Sequence, residues 1–109
     1  MATDKLPIII PMDKIELFCK KWKIQEFAIF GSILRGDFNQ LTSDVDVLIT
    51  FFPNTHIGWG IVEMKEELEK IFGKKVDLLE KRGIEKSRNP IKKAEILNSY
   101  RVIYEQAAW

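Results

Sequence analysis

Asp44 and Asp46 stand one residue apart in the apolar run Asp44-Val45-Asp46-Val47-Leu48-Ile49. Successive side chains of a strand point to opposite faces, so the two aspartates share one face while Val45, Val47 and Ile49 share the other. Two carboxylates side by side repel, and a cation between them relieves the repulsion. Hard oxygen ligands of this kind suit Mg²⁺. Upstream, the apolar stretch Phe27-Ala28-Ile29-Phe30 runs into Gly31-Ser32. Gly31 has no Cβ and lets a ligand approach the backbone closely. Ser32 can cap the helical turn Ile33-Leu34-Arg35-Gly36 that follows, and the free N–H groups at such a start favour phosphate. Arg35 adds a positive charge one turn on. The pattern points to a nucleoside triphosphate held at its tail by Gly31 and Ser32 and by a metal on Asp44 and Asp46.

Those residues also carry a resemblance. Gly31-Ser32-x-x-Arg35-Gly36-Asp37-Phe38 followed by Ser43-Asp44-Val45-Asp46-Val47-Leu48-Ile49 resembles the core motif of the polymerase-β-type nucleotidyltransferases. From about Asp13 to Tyr104 the chain is similar to their minimal prokaryotic members, many of which are antitoxins beside a HEPN-domain ribonuclease toxin. The resemblance implies an α/β (α+β) fold, a small mixed sheet with helices packed on it. It implies a third carboxylate on a strand after the second long helix, a place that Asp77 matches. It further implies two Mg²⁺ ions, with Asp44 and Asp46 on both and Asp77 on the one that activates an acceptor hydroxyl. Gly31 and Ser32 then hold the β- and γ-phosphates of ATP, with Arg35 as a further phosphate contact. The implied acceptor is a tyrosine of a HEPN toxin, silenced by AMP. Two other readings stay open: a catalytically silent antitoxin that works by occlusion, and the nucleotide-binding subunit of a small-molecule transferase.

A chain of 109 residues is the size of one domain. Charged residues make up 30% and hydrophobic ones 46%, an ordinary globular balance, and no apolar run is long enough to span a membrane. The start of the chain makes a poor secretory signal, so a cytoplasmic location is expected. Cys19 is the only cysteine, which excludes an internal disulfide. A net charge of +1 argues against a dedicated duplex-DNA binder, and nucleic acid is not expected as a direct partner. The charge is uneven: residues 1–73 hold 8 basic and 11 acidic side chains, residues 74–109 hold 9 and 5. The basic end is either solvated surface or a face toward a phosphate-bearing ligand or an acidic partner.

The elements that must position the acids follow from periodicity. Pro7 and Pro11 bracket Ile8-Ile9-Ile10, which reads as an extended docked arm or an interface. Ile15, Phe18, Cys19 and Trp22 recur at helical spacing and predict a first helix over Met12–Trp22, with Lys20, Lys21 and Lys23 at the end favoured by the dipole. Gly36 to Asn39 reads as a turn, with Asp37 stabilising it, and Ser43 as fixing the approach to Asp44. His56, the lone histidine, and Trp59, between two glycines, are each either structural or partner-facing. Ile61, Met64, Leu68, Ile71 and Phe72 predict a second helix over Ile61–Phe72, with its Glu and Lys residues solvated and Gly73 as its stop. Lys74–Glu80 reads as a third strand. Residues 81–89 read as a basic loop, and a third helix starts at Asn89-Pro90 with Ile91, Ala94 and Leu97 as its apolar stripe, widened by Ile96. Tyr100–Glu105 is left as strand or helix, a run too short for periodicity to decide.

Overall fold

The computed structural model describes residues 8–35, 39 and 44–106, without the side chains of Ser32, Arg35 and Lys92. In chain order come helix α1 (Met12–Lys21), strand β1 (Ile24–Phe30), helix α2 (Ser32–Arg35), strand β2 (Val45–Phe51) and helix α3 (Gly60–Phe72). Strand β3 (Val76–Glu80), helices α4 (Lys81–Glu85) and α5 (Pro90–Leu97) and strand β4 (Arg101–Glu105) complete the order. The strands form one four-stranded sheet in the order β3-β2-β1-β4. β1 runs antiparallel to β2 and β4, while β2 and β3 are parallel. A parallel pair needs a crossover long enough to return the chain, and α3 supplies it. This is the expected mixed sheet with helices packed on it.

Alternation along β1 and β2 sorts the core. Phe27, Ile29, Val45, Val47 and Ile49 face one way and bury against Ile15, Phe18 and Cys19 of α1 and Met64 and Leu68 of α3. Phe18 and Phe27 meet edge to face with centroids 6.3 Å apart, a geometry that adds to their burial. Ala28, Phe30 and Leu48 face the other way and pack against Ile84 of α4 and Ile96 of α5. The sheet is thus covered on both sides, which is why β2 reads as a nearly continuous apolar run interrupted by Asp46. Ile8 and Ile10 pack against the first cluster while Ile9 stays exposed, so the arm docks by alternate residues. Burial pushes the Cys19 thiol up to about 12, which keeps it a neutral core group.

Several elements differ from the sequence reading. β1 begins at Ile24, three residues before Phe27, after a turn in which Lys23 takes φ +58° and its carbonyl accepts from Phe52 N at 3.0 Å. β3 begins at Val76 rather than Lys74. Glu69 is not simply solvated: its Oε2 accepts from Val76 N at 3.1 Å and so holds the first residue of β3. Gly73 ends α3 in the left-handed region, φ +68°, as expected of a stop glycine. The stretch expected as a basic loop opens with α4. Ile84 plugs the second core cluster, and Lys81 donates to Tyr100 Oη at 2.7 Å and Glu26 Oε1 at 3.3 Å. The Tyr100 hydroxyl first, and then Glu26, raise the Lys81 pKa against the opposing effect of burial. In α5 the buried side is Ile96 with half-buried Leu97, while Ile91 and Ala94 are exposed. A helix of eight residues meets the sheet only through its last turn, so a stripe drawn along its whole length misplaces the first residues. Tyr100 lies just ahead of β4, and Ile103 and Tyr104 of that strand pack on the first cluster. The turn at Gly36–Asn39, apart from Asn39, and the role given to Ser43 fall outside the described residues.

Ile96→Ala should cost about 2–4 kcal/mol in urea unfolding, whereas Ile91→Ala should change stability by less than about 0.5 kcal/mol. Equal effects would contradict this placement of α5. The Cys19 thiol should resist Ellman's reagent in the native protein at neutral pH and react once the protein is unfolded in urea.

Candidate active site

β2 and β3 pair in register so that Asp46 lies directly beside Asp77, with Val45 beside Val76 and Leu48 beside Leu79. In a parallel pair, side chains of partnered residues project from the same face, and neighbouring strands lie about 4.8 Å apart. The two aspartates are therefore adjacent on one face, at the end where both strands begin. Asp46 is half-buried and Asp77 exposed. Asp44 stands one residue before β2 and is exposed, and alternation puts it on the side of Asp46. Val45 N donates to Lys75 O at 2.9 Å, which extends the pairing to the residues just ahead of both acids. Lys75, exposed two residues before Asp77, brings a cation to the end of the sheet where the acids lie. The sequence reading passed over Lys75, although its spacing of two from Asp77 is the available signal.

The glycine-serine turn meets the acids from the third side. Phe30, the last residue of β1, is the cross-strand partner of Asp46. Gly31 follows with φ +79°, a conformation that L side chains rarely adopt. A Cβ at that position would fall on Asp46 Oδ2. Glycine is thus required twice over, by its backbone angle and by the carboxylate lying against it. Leu34 N donates to Gly31 O at 3.0 Å and starts the single turn of α2, in which Ser32 and Arg35 are the first and last residues.

Aligned carboxylates beside a position cleared of side chain are oxygen donors of the type Mg²⁺ takes. Asp46 and Asp77 fit such an ion by type and by register. Among the described residues no group of three acids, histidines or cysteines is gathered closely enough to hold one. His56 and Trp59 sit elsewhere. They follow the C-terminal end of β2, and Gly60 beside them packs on the Trp22 ring, a Cβ there reaching Trp22 Cζ3 at 3.2 Å. Trp22 lies next to the start of β1, opposite the acids along the sheet. Asp46 is five residues from Phe51, the last residue of β2, a span of about 17 Å. His56 and Trp59 are both exposed, Trp59 at 90%.

Gly31→Ala should lower Mg²⁺-ATP affinity by at least about tenfold in calorimetric titration, because the methyl displaces the Asp46 carboxylate, and should also destabilise by about 1–2 kcal/mol for its backbone angle. Gly73→Ala, with φ +68° and nothing within 4 Å of the added Cβ, should show the stability loss alone. Equal binding by both variants would remove Gly31 from the site.

The nucleotidyltransferase domain family matches residues 12–103, from the first helix to the last strand. A Methanocaldococcus jannaschii chain named as a candidate protein adenylyltransferase is 39% identical over 77 residues, which cover 70% of this chain and 73% of that one. Among solved structures, a toxin–antitoxin complex with AMP-PNP superposes with a TM-score of 0.67 at 19% identity, covering 90% of this chain and 76% of that chain. A complex of tri-AMPylated Shewanella oneidensis HEPN toxin with MNT antitoxin gives 0.58 at 19% identity, over 86% and 69%. At such identities the two structures speak for the fold, while the family match and the M. jannaschii relative speak for descent. By that match the chain belongs to the nucleotidyltransferase family, and it is an enzyme of that class.

Proposed function

We propose that the protein moves AMP from ATP onto a protein hydroxyl, a tyrosine of a HEPN-domain toxin, and so acts in the cytoplasm as the antitoxin of that toxin. The observation that carries this reading is the register that sets Asp46 beside Asp77 against Gly31. Family membership supports nucleotidyl transfer. The name of the M. jannaschii relative and the AMPylated toxin beside its MNT antitoxin support a protein acceptor.

In the reaction the acceptor oxygen attacks the α-phosphorus, the bond from that phosphorus to the bridging oxygen breaks, and pyrophosphate leaves with the electron pair. The product is an aryl phosphodiester, and the acceptor proton needs a base. Asp77, exposed on the rim of the acid pair, is the carboxylate that takes it. Asp46 and Asp77, the pair aligned by register, would hold Mg²⁺, with Asp44 closing on the metal from just ahead of β2 once the nucleotide adds its own oxygens; two such ions would stabilise the entering and leaving oxygens. Asp46, half-buried against Gly31, orients the phosphates, and the Gly31-Ser32 turn keeps the backbone low enough for the β- and γ-phosphates to approach. Lys75 offsets part of the negative charge at this end of the sheet.

The test uses α-labelled ATP, Mg²⁺ and the product of the adjacent gene, which on this reading is the HEPN-domain toxin. Wild-type protein should label the toxin on tyrosine, and Asp46→Asn or Asp77→Asn should slow labelling by about 10²–10³-fold, the usual loss when one stabilising group leaves a transfer site. Toxin neutralisation that persists in an Asp44→Asn, Asp46→Asn double variant would favour occlusion instead. Chelation by EDTA should abolish labelling in the wild type.

A further inference from the structure

Helices α4 and α5 cover the sheet face from which Asp46 and Asp77 project. Ile84 and Ile96 share a core cluster with Phe30, the cross-strand partner of Asp46, and with Leu48. Leu48 is two residues beyond Asp46, about 7 Å along the strand. A protein that brings an acceptor hydroxyl to the aspartates thus has this helical layer as a neighbouring surface on the same sheet face.

The layer is basic. Residues 81–93 contain Lys81, Arg82, Lys86, Arg88, Lys92 and Lys93 against the single acid Glu85, a balance of +5 in a chain whose total is +1, so the other residues balance at −4. Lys81 is turned inward to Tyr100 and Glu26. Arg82, Lys86 and Arg88 are exposed and Lys93 is half-buried. Among the described residues the side chains of these four have no ion pair or hydrogen bond, whereas Lys20, Lys21 and Lys81 each meet an acid. On the first turn of α5, Ile91 is 74% exposed. No aromatic residue occurs from 81 to 97, and Tyr100 beyond it is half-buried in the second cluster with Lys81 over its ring, which leaves the exposed basic side chains without the stacking platform that single-stranded nucleic acid uses. An exposed isoleucine on the same short segment as exposed arginines is instead compatible with a protein-binding surface, where arginine is enriched.

We infer that the outer surface of α4, α5 and the turn between them, with Arg82, Lys86, Arg88 and Ile91, docks an acidic surface of the protein that supplies the acceptor hydroxyl. This rests on the transfer reading above and adds to it where the acceptor protein lands and by what chemistry. Paired charges across such a rim steer the encounter and make it salt-sensitive.

The test is an Arg82→Glu, Lys86→Glu, Arg88→Glu variant of the whole chain, with fluorescently labelled HEPN toxin as the probe. At about 50 mM salt the variant should bind the toxin at least about tenfold more weakly than wild type. Wild-type affinity should fall with added salt and that of the variant should stay flat. KM for ATP and the thermal midpoint should remain near wild type, and Ile91→Ser should weaken binding in the same direction. The neutral set Arg82→Ala, Lys86→Ala, Arg88→Ala covers the case in which reversal disturbs folding. Toxin binding that is unchanged by these variants, indifferent to salt, or absent in wild type overturns the inference. So does retention of RNA that the variants abolish while toxin binding is untouched. If the variants lose toxin binding but wild type moves no AMP, the docking face stands and the transferase reading falls.

Discussion

A one-residue slip of β3 along β2 would turn Asp77 into the core formed with α1 and α3 and would carry Val76 and Leu78 out to the acid face. Because side-chain alternation has a period of two, no smaller change exists. The slipped state leaves a carboxylate in the apolar cluster where Val76 now sits beside fully buried Val45, at a desolvation cost of several kcal/mol. It also exposes Val76, whose burial is worth about 1.5–3 kcal/mol. The position of Asp77 beside Asp46 is therefore enforced by the opposite face of the sheet, where no chemistry takes place. Two backbone contacts fix the same register locally, Val45 N to Lys75 O and Val76 N to the Glu69 carboxylate.

That enforcement is needed because the pair itself is unfavourable. Like charges directly opposite on adjacent strands destabilise a sheet, and Gly31 packs against one of them where a side chain would push it away. The fold offsets this by burying apolar surface on both sides of the central strands. On the acid face the cover from α4 and α5 reaches Phe30 and Leu48, and the carboxylates lie just beyond it. The same β1 that closes the first core with Phe27 and Ile29 delivers Phe30 and then Gly31 to the acids. Packing and site thus share a backbone path, and Gly31 is where the two demands meet.

What the sequence revealed of this follows from which signals are local. Alternation in Asp44–Ile49, the helical spacing of Ile15, Phe18 and Cys19, and the stop at Gly73 are short-range, and each appears in the structure near where it was read. The adjacency of Asp46 and Asp77 needed one further assumption, that the third strand lies next to the second, and the parallel register bears it out. Long-range facts were hidden. Nothing in Gly31 or its neighbours announces that Asp46 presses on it from a strand fifteen residues on. Nothing in the run of glutamates on α3 distinguishes Glu69, which reaches Val76, from Glu66 one turn earlier. Residues 81–89 looked like a loop because Gly83 and the basic residues mask the one apolar side chain, Ile84, that a second cluster needed. The roles of Ser32 and Arg35 depend on side chains outside the described set.

The two charged features of the acid face answer different demands. A triphosphate brings several negative charges to within hydrogen-bonding range of Asp46 and Asp77, where only a cation at contact distance can reverse the local sign. The exposed side chains of α4 and α5 lie on the solvent side of a helical layer, where water and salt weaken their pull. Their field is felt by something broad that lies across the layer and excludes water from it, since burial restores what solvent removes. On the proposed reading an acidic protein surface meets that condition and a free nucleotide does not. The same surface would hold its hydroxyl over the acids, so that charge on one layer sets the position of chemistry on the next.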